Sequence, residues 1–322
     1  IEQGFEVIGI TGYMTESKDS DEVVFNAQKV AKKLKIKHYT YNATKEFSKY
    51  VTEYFLNSYK NGKTPNPCIM CNKYIKWGSL FEYATKELNA DFIATGHYAN
   101  IIRDGNIYKL YPAIDEIKDQ LYFLFSLKQE QLSKTIFPLS KYKKQKVKDL
   151  AMKYDLPPKS SKESQDICFI KHPMTTKKYL NNLIEPVAGN FIEQSTGKIL
   201  GNHNGYWQYT IGQRKGIGIA APEALYVTKL DAASNTVYVG YKEELFLKQL
   251  ILQDFDWNYP QNSNEFEALV KIRYNMKATP AKITISDDVN IEFEEQVSGI
   301  APGQACVLYD IKDGHLLGGG FI

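Results

Sequence analysis

The sequence predicts an α/β fold, in which a parallel sheet covered by helices is followed by a small β-rich central domain and a C-terminal β-barrel. Two observations support this prediction. Strand and helix signals alternate over residues 1–100, as they do in β-α-β units. From about residue 186, short β-rich runs with Gly and Asn replace the helical stripes. We expect the domains to cover 1–170, 171–232 and 233–322.

Three short strand signals, at 7–10, 38–41 and 91–95, punctuate the first hundred residues. Between them, apolar residues recur at the three- and four-residue spacing of a helix face. Asp19 and Glu22 are predicted to cap the first of these helices. The recurring positions are Val23, Ala27, Val30 and Leu34 in the first helix, Phe47, Tyr50, Val51, Tyr54 and Phe55 in the second, and Leu80, Phe81, Ala84 and Leu88 in the third.

Gly4 has the character of a residue that follows the end of a helix, so residues 1–4 are interpreted as the last turn of one. A parallel β-α-β unit has a strand before such a helix. We therefore expect an upstream strand, loop and helix that this sequence does not contain.

Short antiparallel strands are predicted for the second half of the chain. Residues 225–230 and 236–240 flank a turn at 231–235, which indicates a hairpin. Asp313 and Gly314 indicate a second hairpin turn. Further strands are expected at 268–274, 282–286, 291–293, 305–310 and 316–322.

Composition excludes several classes of protein. The chain has 322 residues, of which 43% are hydrophobic and 24% charged, so it can bury a core. No apolar run reaches the roughly 18 residues of a membrane span, and no signal-peptide pattern is present. The net charge of +3 does not by itself indicate a nucleic-acid partner. Four cysteines are too few for a disulfide scaffold and favour a reducing compartment.

Basic charge is unevenly distributed along the chain, which has 37 Lys and three Arg. A lysine block at 141–162 holds eight Lys against two Asp, and an apolar stripe runs through it. This pattern fits either a solvated helix face or a surface that contacts phosphates. Residues 254–322 instead carry eleven acids and five bases.

Cys68 and Cys71 form a C-x-x-C motif. Pro65 and Pro67 favour an extended, rigid loop around it. A helix is predicted to follow at about Tyr74, and the positive end of its dipole would favour a thiolate. By itself the motif fits a redox, a metal-binding or a structural role.

The other two cysteines and a histidine have fewer local signals. Cys168 stands between apolar residues, which is typical of a core position, and Cys306 in a predicted strand is also interpreted as core. Gly96 and His97 follow a strand at the end where ligands bind in open α/β sheets. A structural histidine fits His97 equally well.

Two of the three arginines stand close to aromatic residues. Arg214 lies in a glycine-rich turn near Trp207, and Arg273 precedes Tyr274 in a predicted strand. Such pairings are common in phosphate and base contacts, although ordinary surface positions also fit.

Taken together, these segments resemble the tRNA-specific 2-thiouridylases, whose motifs match in order along nearly the whole chain. The match implies a parallel-sheet domain of the ATP-pyrophosphatase type at 1–170. The matching motifs are T-P-N-P-x-x-x-C-N-K at 64–73, A-T-G-H-Y at 94–98, K-D-Q at 118–120, I-C-F-I at 167–170, T-I-G-Q-R-K-G-I-G-I at 210–219, R-Y at 273–274 and G-G-G-F-I at 318–322.

The resemblance implies that ATP, with Mg²⁺, activates carbon 2 of the wobble uridine by adenylation of its oxygen. Sulfur from a persulfide then replaces that oxygen, giving 2-thiouridine, AMP and diphosphate. The implied partners are tRNA, through its anticodon loop and stem, and a sulfur donor such as a cysteine desulfurase or a relay protein. A cytoplasmic location is implied, and an organelle matrix is also compatible.

Site residues are carried over by motif. Cys168 matches the persulfide-bearing cysteine, and Cys71 matches the nucleophile that completes the transfer. Gly96 matches an ATP-contacting glycine, and Gly12 stands where the family has a nucleotide contact. Positions implied to hold the target base or the tRNA are Asn66, Pro67, Cys68, His97, Lys118, Asp119, Gln120, Arg273, Tyr274 and Gln304.

This sequence departs from the family pattern in two informative ways. The S-G-G-V-D-S phosphate loop is not part of it, so we expect weak ATP binding without the backbone N–H groups of that loop. Cys68 stands where many members have Asp. It is either a tolerated variant or, with Cys71 and Cys168, a ligand of a [4Fe-4S] cluster that leaves one iron open.

Two other functions were weighed against thiolation. The first is a non-catalytic tRNA-binding remnant that lacks the ATP loop. The second is another ATP-pyrophosphatase, such as an amidotransferase, but this leaves Cys168, the basic helix and the barrel unexplained.

Overall fold

The computed structural model describes residues 1–156 and 167–322, which divide into two compact units. Unit 1 contains the described residues of Ile1–Glu53 and Cys68–Glu163, and unit 2 contains those of Tyr54–Pro67 and Ser164–Ile322. Lys159 and Lys162 of the lysine block lie outside the described residues. In the part of the chain that the structure describes, no helix is long and apolar enough to span a bilayer.

Unit 1 contains the predicted parallel strands. Strands β1 (Ile8–Tyr13) and β2 (Lys37–Asn42) pair in parallel, and helix α1 (Lys18–Leu34) connects them. A second parallel pair joins β3 (Ile93–Ala94) to β6 (Thr135–Ile136). The parallel arrangement is therefore confirmed, although the described residues form two separate pairs and not one continuous sheet.

The predicted capping of helix α1 is wrong. Ser17 is the N-cap, and its side chain accepts a hydrogen bond from the Ser20 N–H at 3.3 Å. Asp19 lies in the first turn, where a negative charge is stabilised by the helix dipole. The helix ends at Lys35, which adopts a left-handed conformation with φ 55°.

The second predicted apolar stripe is confirmed in helix α2 (44–60), where Phe47, Val51 and Phe55 are buried. Helix α3 (67–87) starts at Pro67, earlier than the predicted start near Tyr74. Proline fits the first position of a helix because its missing N–H has no partner there in any case. The consecutive segments of α2 are Thr44–Phe47, Ser48–Thr52 and Glu53–Lys60, and those of α3 are Pro67–Met70, Cys71–Ser79, Leu80–Glu82 and Tyr83–Glu87.

Shorter elements complete unit 1. A 3₁₀ turn covers Leu121–Leu124, next to the K-D-Q segment. The lysine block contains helix α5 (Lys144–Lys153), which has no buried residue. The remaining elements are the hairpin strands β4 (Ala99–Asp104) and β5 (Ile107–Pro112), and helix α4 (Gln129–Ser133).

The larger segment of unit 2 contains helix α6 (Thr176–Asn181) and a four-stranded sheet in the order β8-β7-β10-β9. The predicted hairpin at 225–240 is confirmed by the antiparallel pair β9–β10. Phe191, Val227 and Val239 belong to the core of this sheet. The strands are β7 (Gly189–Glu193), β8 (Ile199–His203), β9 (Tyr226–Asp231) and β10 (Thr236–Gly240).

The predicted C-terminal strands form a seven-stranded sheet in the order β11-β15-β14-β13-β16-β17-β12. Its hydrophobic core includes Val270, Phe293 and Leu308. Gly314 has φ 72°, which confirms the second hairpin turn. The strands are β11 (Phe246–Leu252), β12 (Phe255–Trp257), β13 (Glu265–Lys271), β14 (Thr279–Ile285), β15 (Val289–Ser298), β16 (Ala305–Asp310) and β17 (Leu316–Phe321).

Candidate functional site

The C-x-x-C motif lies in the first turns of helix α3. Cys68 is exposed, Cys71 is half-buried and Pro67 is buried. The two cysteines are three residues apart, so they share one face of the helix. Next to them, the buried Asn72 side chain donates to the Phe123 carbonyl at 2.9 Å. This bond fixes the helix turn that carries Cys71 against the 3₁₀ turn after K-D-Q.

The segment that precedes this helix is anchored by residues 302–304. The Thr64 N–H donates to the Pro302 carbonyl at 2.7 Å, and the Gln304 side-chain amide donates to the Thr64 carbonyl at 2.8 Å. Gly303 has φ 88°, and a Cβ there would lie 3.0 Å from the Lys63 Cβ. Gln304, implied to contact tRNA, thus holds the segment that leads into Asn66.

His97 is buried beneath the exposed Gly96 that follows strand β3. Its Nε2 lies 3.2 Å from the Lys76 ammonium, and its Nδ1 lies 2.9 Å from the Thr95 hydroxyl. An ammonium can only donate, so Nε2 accepts and Nδ1 carries the proton. Burial, and secondly the charge of Lys76, lowers the pKa of His97 to about 3. The ring is therefore neutral and orients Lys76.

The K-D-Q segment uses two of its side chains to order its own backbone. The Asp119 carboxylate accepts from the N–H groups of Ala113 at 2.9 Å and Leu121 at 3.1 Å. Gln120 Oε1 accepts from the Tyr98 N–H at 3.1 Å, and the Gln120 N–H donates to the Tyr98 carbonyl at 2.8 Å. These bonds attach K-D-Q to the A-T-G-H-Y motif.

Lys118 and Lys144 are brought together by Asp115, a residue that no sequence signal singled out. One carboxylate oxygen of Asp115 accepts from the Lys118 N–H at 3.3 Å, and the other accepts from the Lys144 N–H at 2.8 Å. The Lys144 ammonium also lies 5.8 Å from the centre of the Tyr98 ring. The start of helix α5 is therefore adjacent to K-D-Q.

Gly12 is the second-last residue of strand β1, opposite Tyr41 of β2. A Cβ at Gly12 would approach the flexible Met14 side chain to 2.6 Å and Leu80 to 3.3 Å. Gly12 and Gly96 thus both lie at carboxyl ends of parallel strands, the position expected for a nucleotide in this class of fold.

Cys168 is exposed in unit 2, so the core position that its apolar neighbours made a plausible alternative does not apply. Its neighbours explain its position. Phe169 packs edge-on against Phe55 with ring centres 5.3 Å apart, and Ile170 is buried. Ile167 and Ile170 line a cavity of about 490 Å³. The flanking side chains thus fix the backbone while the thiol faces solvent.

Cys306 is a core residue, as predicted. It is fully buried in the C-terminal sheet, and burial raises the pKa of its thiol. A protonated, inaccessible thiol is chemically inert, so Cys306 is not a candidate nucleophile.

Arg273 and Tyr274 lie in the loop after strand β13. The sequence predicted them within the strand, and this prediction is wrong. The Arg273 guanidinium donates to the Ser298 carbonyl at 2.8 Å and lies over Gly299, whose φ is 72°. The β13 ladder ends at Lys271, and the loop presents an exposed guanidinium in a fixed orientation.

Arg214 is exposed in the glycine-rich segment 210–219. Three glycines there adopt left-handed conformations, with φ between 74° and 84°. Gln213 orders the turn, because its Oε1 accepts from the Thr210 N–H at 3.1 Å and its Nε2 donates to the Lys215 carbonyl at 2.9 Å. The backbone thus holds Arg214 on a tight, preformed loop.

Three family models match successive parts of the chain. Residues 2–172 match a tRNA methyl transferase HUP domain, residues 177–241 match a tRNA methyl transferase PRC-barrel domain, and residues 247–322 match an aminomethyltransferase beta-barrel domain.

Curated relatives that match the chain over its whole length bear the name tRNA-specific 2-thiouridylase MnmA. The protein from Chlorobium phaeovibrioides is 38% identical over 331 residues, covering 100% of this chain and 92% of the relative. The protein from Clostridium acetobutylicum is 40% identical over 339 residues, covering 100% and 93%. The protein from Nostoc punctiforme is 39% identical over 329 residues, covering 99% and 92%.

Proposed function

Because the chain belongs to the tRNA-specific 2-thiouridylase family, we propose that it catalyses the ATP-dependent 2-thiolation of the wobble uridine of tRNA. The observation that carries this proposal is the environment of the four cysteines. Cys68 and Cys168 are exposed and Cys71 is half-buried, whereas Cys306 is buried in the core. The two cysteines that match the family's sulfur-transfer positions, Cys71 and Cys168, are thus both accessible, as is Cys68.

The proposed chemistry follows from the substrate. The oxygen on carbon 2 of uridine is a poor leaving group, and adenylation by ATP makes it a good one. Mg²⁺ accompanies the ATP phosphates, and Gly12 and Gly96 stand where the nucleotide would lie. A persulfide on Cys168 supplies sulfur to carbon 2 as AMP leaves. The Cys71 thiolate then attacks the Cys168 sulfur, which releases 2-thiouridine and leaves a disulfide to be reduced.

The residues that the family motifs assign to the target base or the tRNA fall into two groups, which differ in exposure. Cys68 and Arg273 are exposed, while Asn66, Lys118 and Tyr274 are half-buried. These side chains are proposed to contact the flipped uridine or the anticodon stem, and extrusion of the base costs roughly a few kcal/mol. Pro67, His97, Asp119, Gln120 and Gln304 are proposed to position the contacting residues, because they are buried or bonded to the protein backbone.

A finer form of the proposal adds a [4Fe-4S] cluster bound by Cys68, Cys71 and Cys168, with one open iron to carry sulfide. It is supported by the position of Cys68 and Cys71, one helical turn apart. Anaerobic reconstitution with iron and sulfide tests it. We expect the reconstituted protein to retain iron and to absorb visible light through its thiolate–iron bonds. The Cys68→Ala variant should lose both. Protein that retains no iron contradicts the cluster and leaves the persulfide route standing.

The proposed reaction is tested in cells and with purified protein. Cells that lack the protein should lose 2-thiouridine from tRNA, as measured by nucleoside mass spectrometry, and unchanged 2-thiouridine would contradict the proposal. A cytoplasmic enzyme served by a cysteine desulfurase or a relay protein is proposed. In complementation, Cys71→Ser and Cys168→Ser should give less 2-thiouridine than the parent protein, whereas Cys306→Ala should give the parental amount. A protein that binds tRNA but never restores 2-thiouridine would indicate a remnant.

A further inference from the structure

Helix α5 and the residues before it form a concentrated basic surface. Lys141, Lys143, Lys146 and Lys148 are exposed, and within the described residues none of them has an ion-pair partner. The acidic residue within the helix, Asp149, accepts a hydrogen bond from Gln145 at 3.0 Å. These four lysines therefore remain available for anions.

The acidic neighbours of this surface are already engaged. The Asp115 carboxylate is occupied by the backbone N–H groups of Lys118 and Lys144. Asp155, just after the helix, pairs with Lys33 of helix α1. Glu2 accepts from the Tyr154 hydroxyl at 2.9 Å. Glu116, next to Lys118, stays exposed.

The link through Asp115 makes helix α5 continuous with the K-D-Q segment. Lys118 and Lys144 donate to the same carboxylate, so their main chains are neighbours. A polyanion that contacts Lys118 would therefore meet the start of helix α5 next. An RNA backbone presents phosphates at regular spacing, and lysines bind them without regard to sequence.

We propose that Lys141, Lys143, Lys146 and Lys148, the lysine surface, bind the phosphate backbone of the tRNA that the enzyme modifies. This inference rests on the proposed function for the identity of the RNA. The lysine surface supplies affinity, whereas the residues near Cys71 and Arg273 supply selection of the base and the tRNA. Its binding should release counterions and weaken as salt rises.

A salt titration of the full chain with an unmodified tRNA transcript tests the lysine surface. In the triple variant Lys143→Ala/Lys146→Ala/Lys148→Ala, the slope of log affinity against log salt should fall by about 2 to 3. The matched control, Lys242→Ala/Lys248→Ala/Lys312→Ala, removes the same charge from exposed positions of unit 2 and should keep the parental slope. Helix α5 has no buried residue, so thermal unfolding should be unaffected in both variants.

An unchanged slope in the first triple variant, or an equal fall of the slope in both variants, would overturn the proposal that the lysine surface binds the tRNA backbone. The assay measures binding alone, so it can be read even if the parent protein does not thiolate the transcript. That failure would count against the proposed function, whereas a changed slope would still place the RNA backbone on helix α5.

Discussion

The side-chain amide of Gln304 donates a 2.8 Å hydrogen bond to the main-chain carbonyl of Thr64, across 240 positions of sequence. Thr64 begins the T-P-N-P segment, so the bond joins the last part of the C-terminal sheet to the approach to Asn66. Gln304 matches a tRNA contact of the family by motif, and the structure gives it a positioning role that motif comparison does not reveal.

Replacement of Gln304 should affect the thiolation reaction through this bond. In Gln304→Ala the Thr64 carbonyl loses its donor, which should lower the free energy of unfolding by about 1 kcal/mol and raise KM for tRNA. Chemical denaturation and steady-state thiolation measure the two effects. Gln249, exposed on strand β11, provides the control, and Gln249→Ala should leave both quantities at parental values. Equal effects in the two variants would remove the positioning role.

Gly303 permits the close approach of the same segment. Both Gly303 and Gly314 have a positive φ, but a Cβ has no neighbour within 4 Å at Gly314, whereas it meets Lys63 and Thr64 at Gly303. Gly314→Ala should cost about 1–2 kcal/mol of stability from backbone strain alone. Gly303→Ala should cost at least about 1 kcal/mol more because of overpacking. If urea denaturation gave the same loss of stability for both variants, residues 63–64 would be able to move away from the added Cβ without strain.

Arg273 should contribute more to tRNA affinity than any single lysine of helix α5. Its guanidinium donates to the Ser298 carbonyl and keeps further N–H groups for a phosphate, which a lysine ammonium cannot do in the same geometry. Arg273→Lys should therefore weaken binding of a tRNA transcript more than Lys146→Ala. Equal losses in a binding titration would mean that only the charge of Arg273 matters.

His97 should make the stability of the protein depend on pH. Its pKa in the folded protein is about 3, below the ordinary value of 6.5, so the unfolded chain binds the extra proton first. The contribution of neutral His97 to the free energy of unfolding is fully present above pH 6.5. This contribution is lost as pH falls towards 3, at up to about 1.4 kcal/mol per pH unit. Urea denaturation of His97→Gln should show a flatter dependence in this range, and a dependence as steep as that of the parent would contradict the buried, neutral ring.

The cysteines should differ in reactivity towards iodoacetamide. Cys68 and Cys168 are exposed and should be alkylated in the native protein, and half-buried Cys71 should react more slowly. Cys306 should react only after unfolding, because it is buried and its pKa is raised. Peptide mass spectrometry after timed quenching measures the order. Native alkylation of Cys306 at the rate of Cys68 would contradict its place in the core.

Local patterns in the sequence predicted the elements that local physics determines. The helical stripe through Phe47, Val51 and Phe55 and the hairpin at 231–235 depend on spacing and turn chemistry alone. The sequence predicts the start of helix α3 too late, because a proline pair fits an extended loop and a helix start equally well. It predicts a β13 strand that is too long, because Arg273 and Tyr274 are compatible with strand propensity, whereas the Arg273 guanidinium donates to the Ser298 carbonyl.

The relationships that order the candidate site lie between distant parts of the chain. The bond from Gln304 to Thr64 and the carboxylate of Asp115 between Lys118 and Lys144 have no local signature. The apolar neighbours of Cys168 by themselves favour a core position, whereas the motif favours an accessible thiol. Those neighbours do pack inward, and the same packing leaves the thiol outside. Motif resemblance identified the cysteines, but only the fold shows which of the matched residues are exposed and which are bonded to the protein backbone.

The anchoring of Thr64 also has a consequence for the folding of the protein during its synthesis on the ribosome. Gly303 and Gln304 are themselves held by Ile322, through backbone hydrogen bonds of 2.7 and 2.9 Å. The segment before Asn66 is therefore translated early but acquires its anchor only when residues 302–322 have been made. A nascent chain carries its thiols before the surrounding loop is ordered, so an interrupted translation product lacks a correctly assembled site.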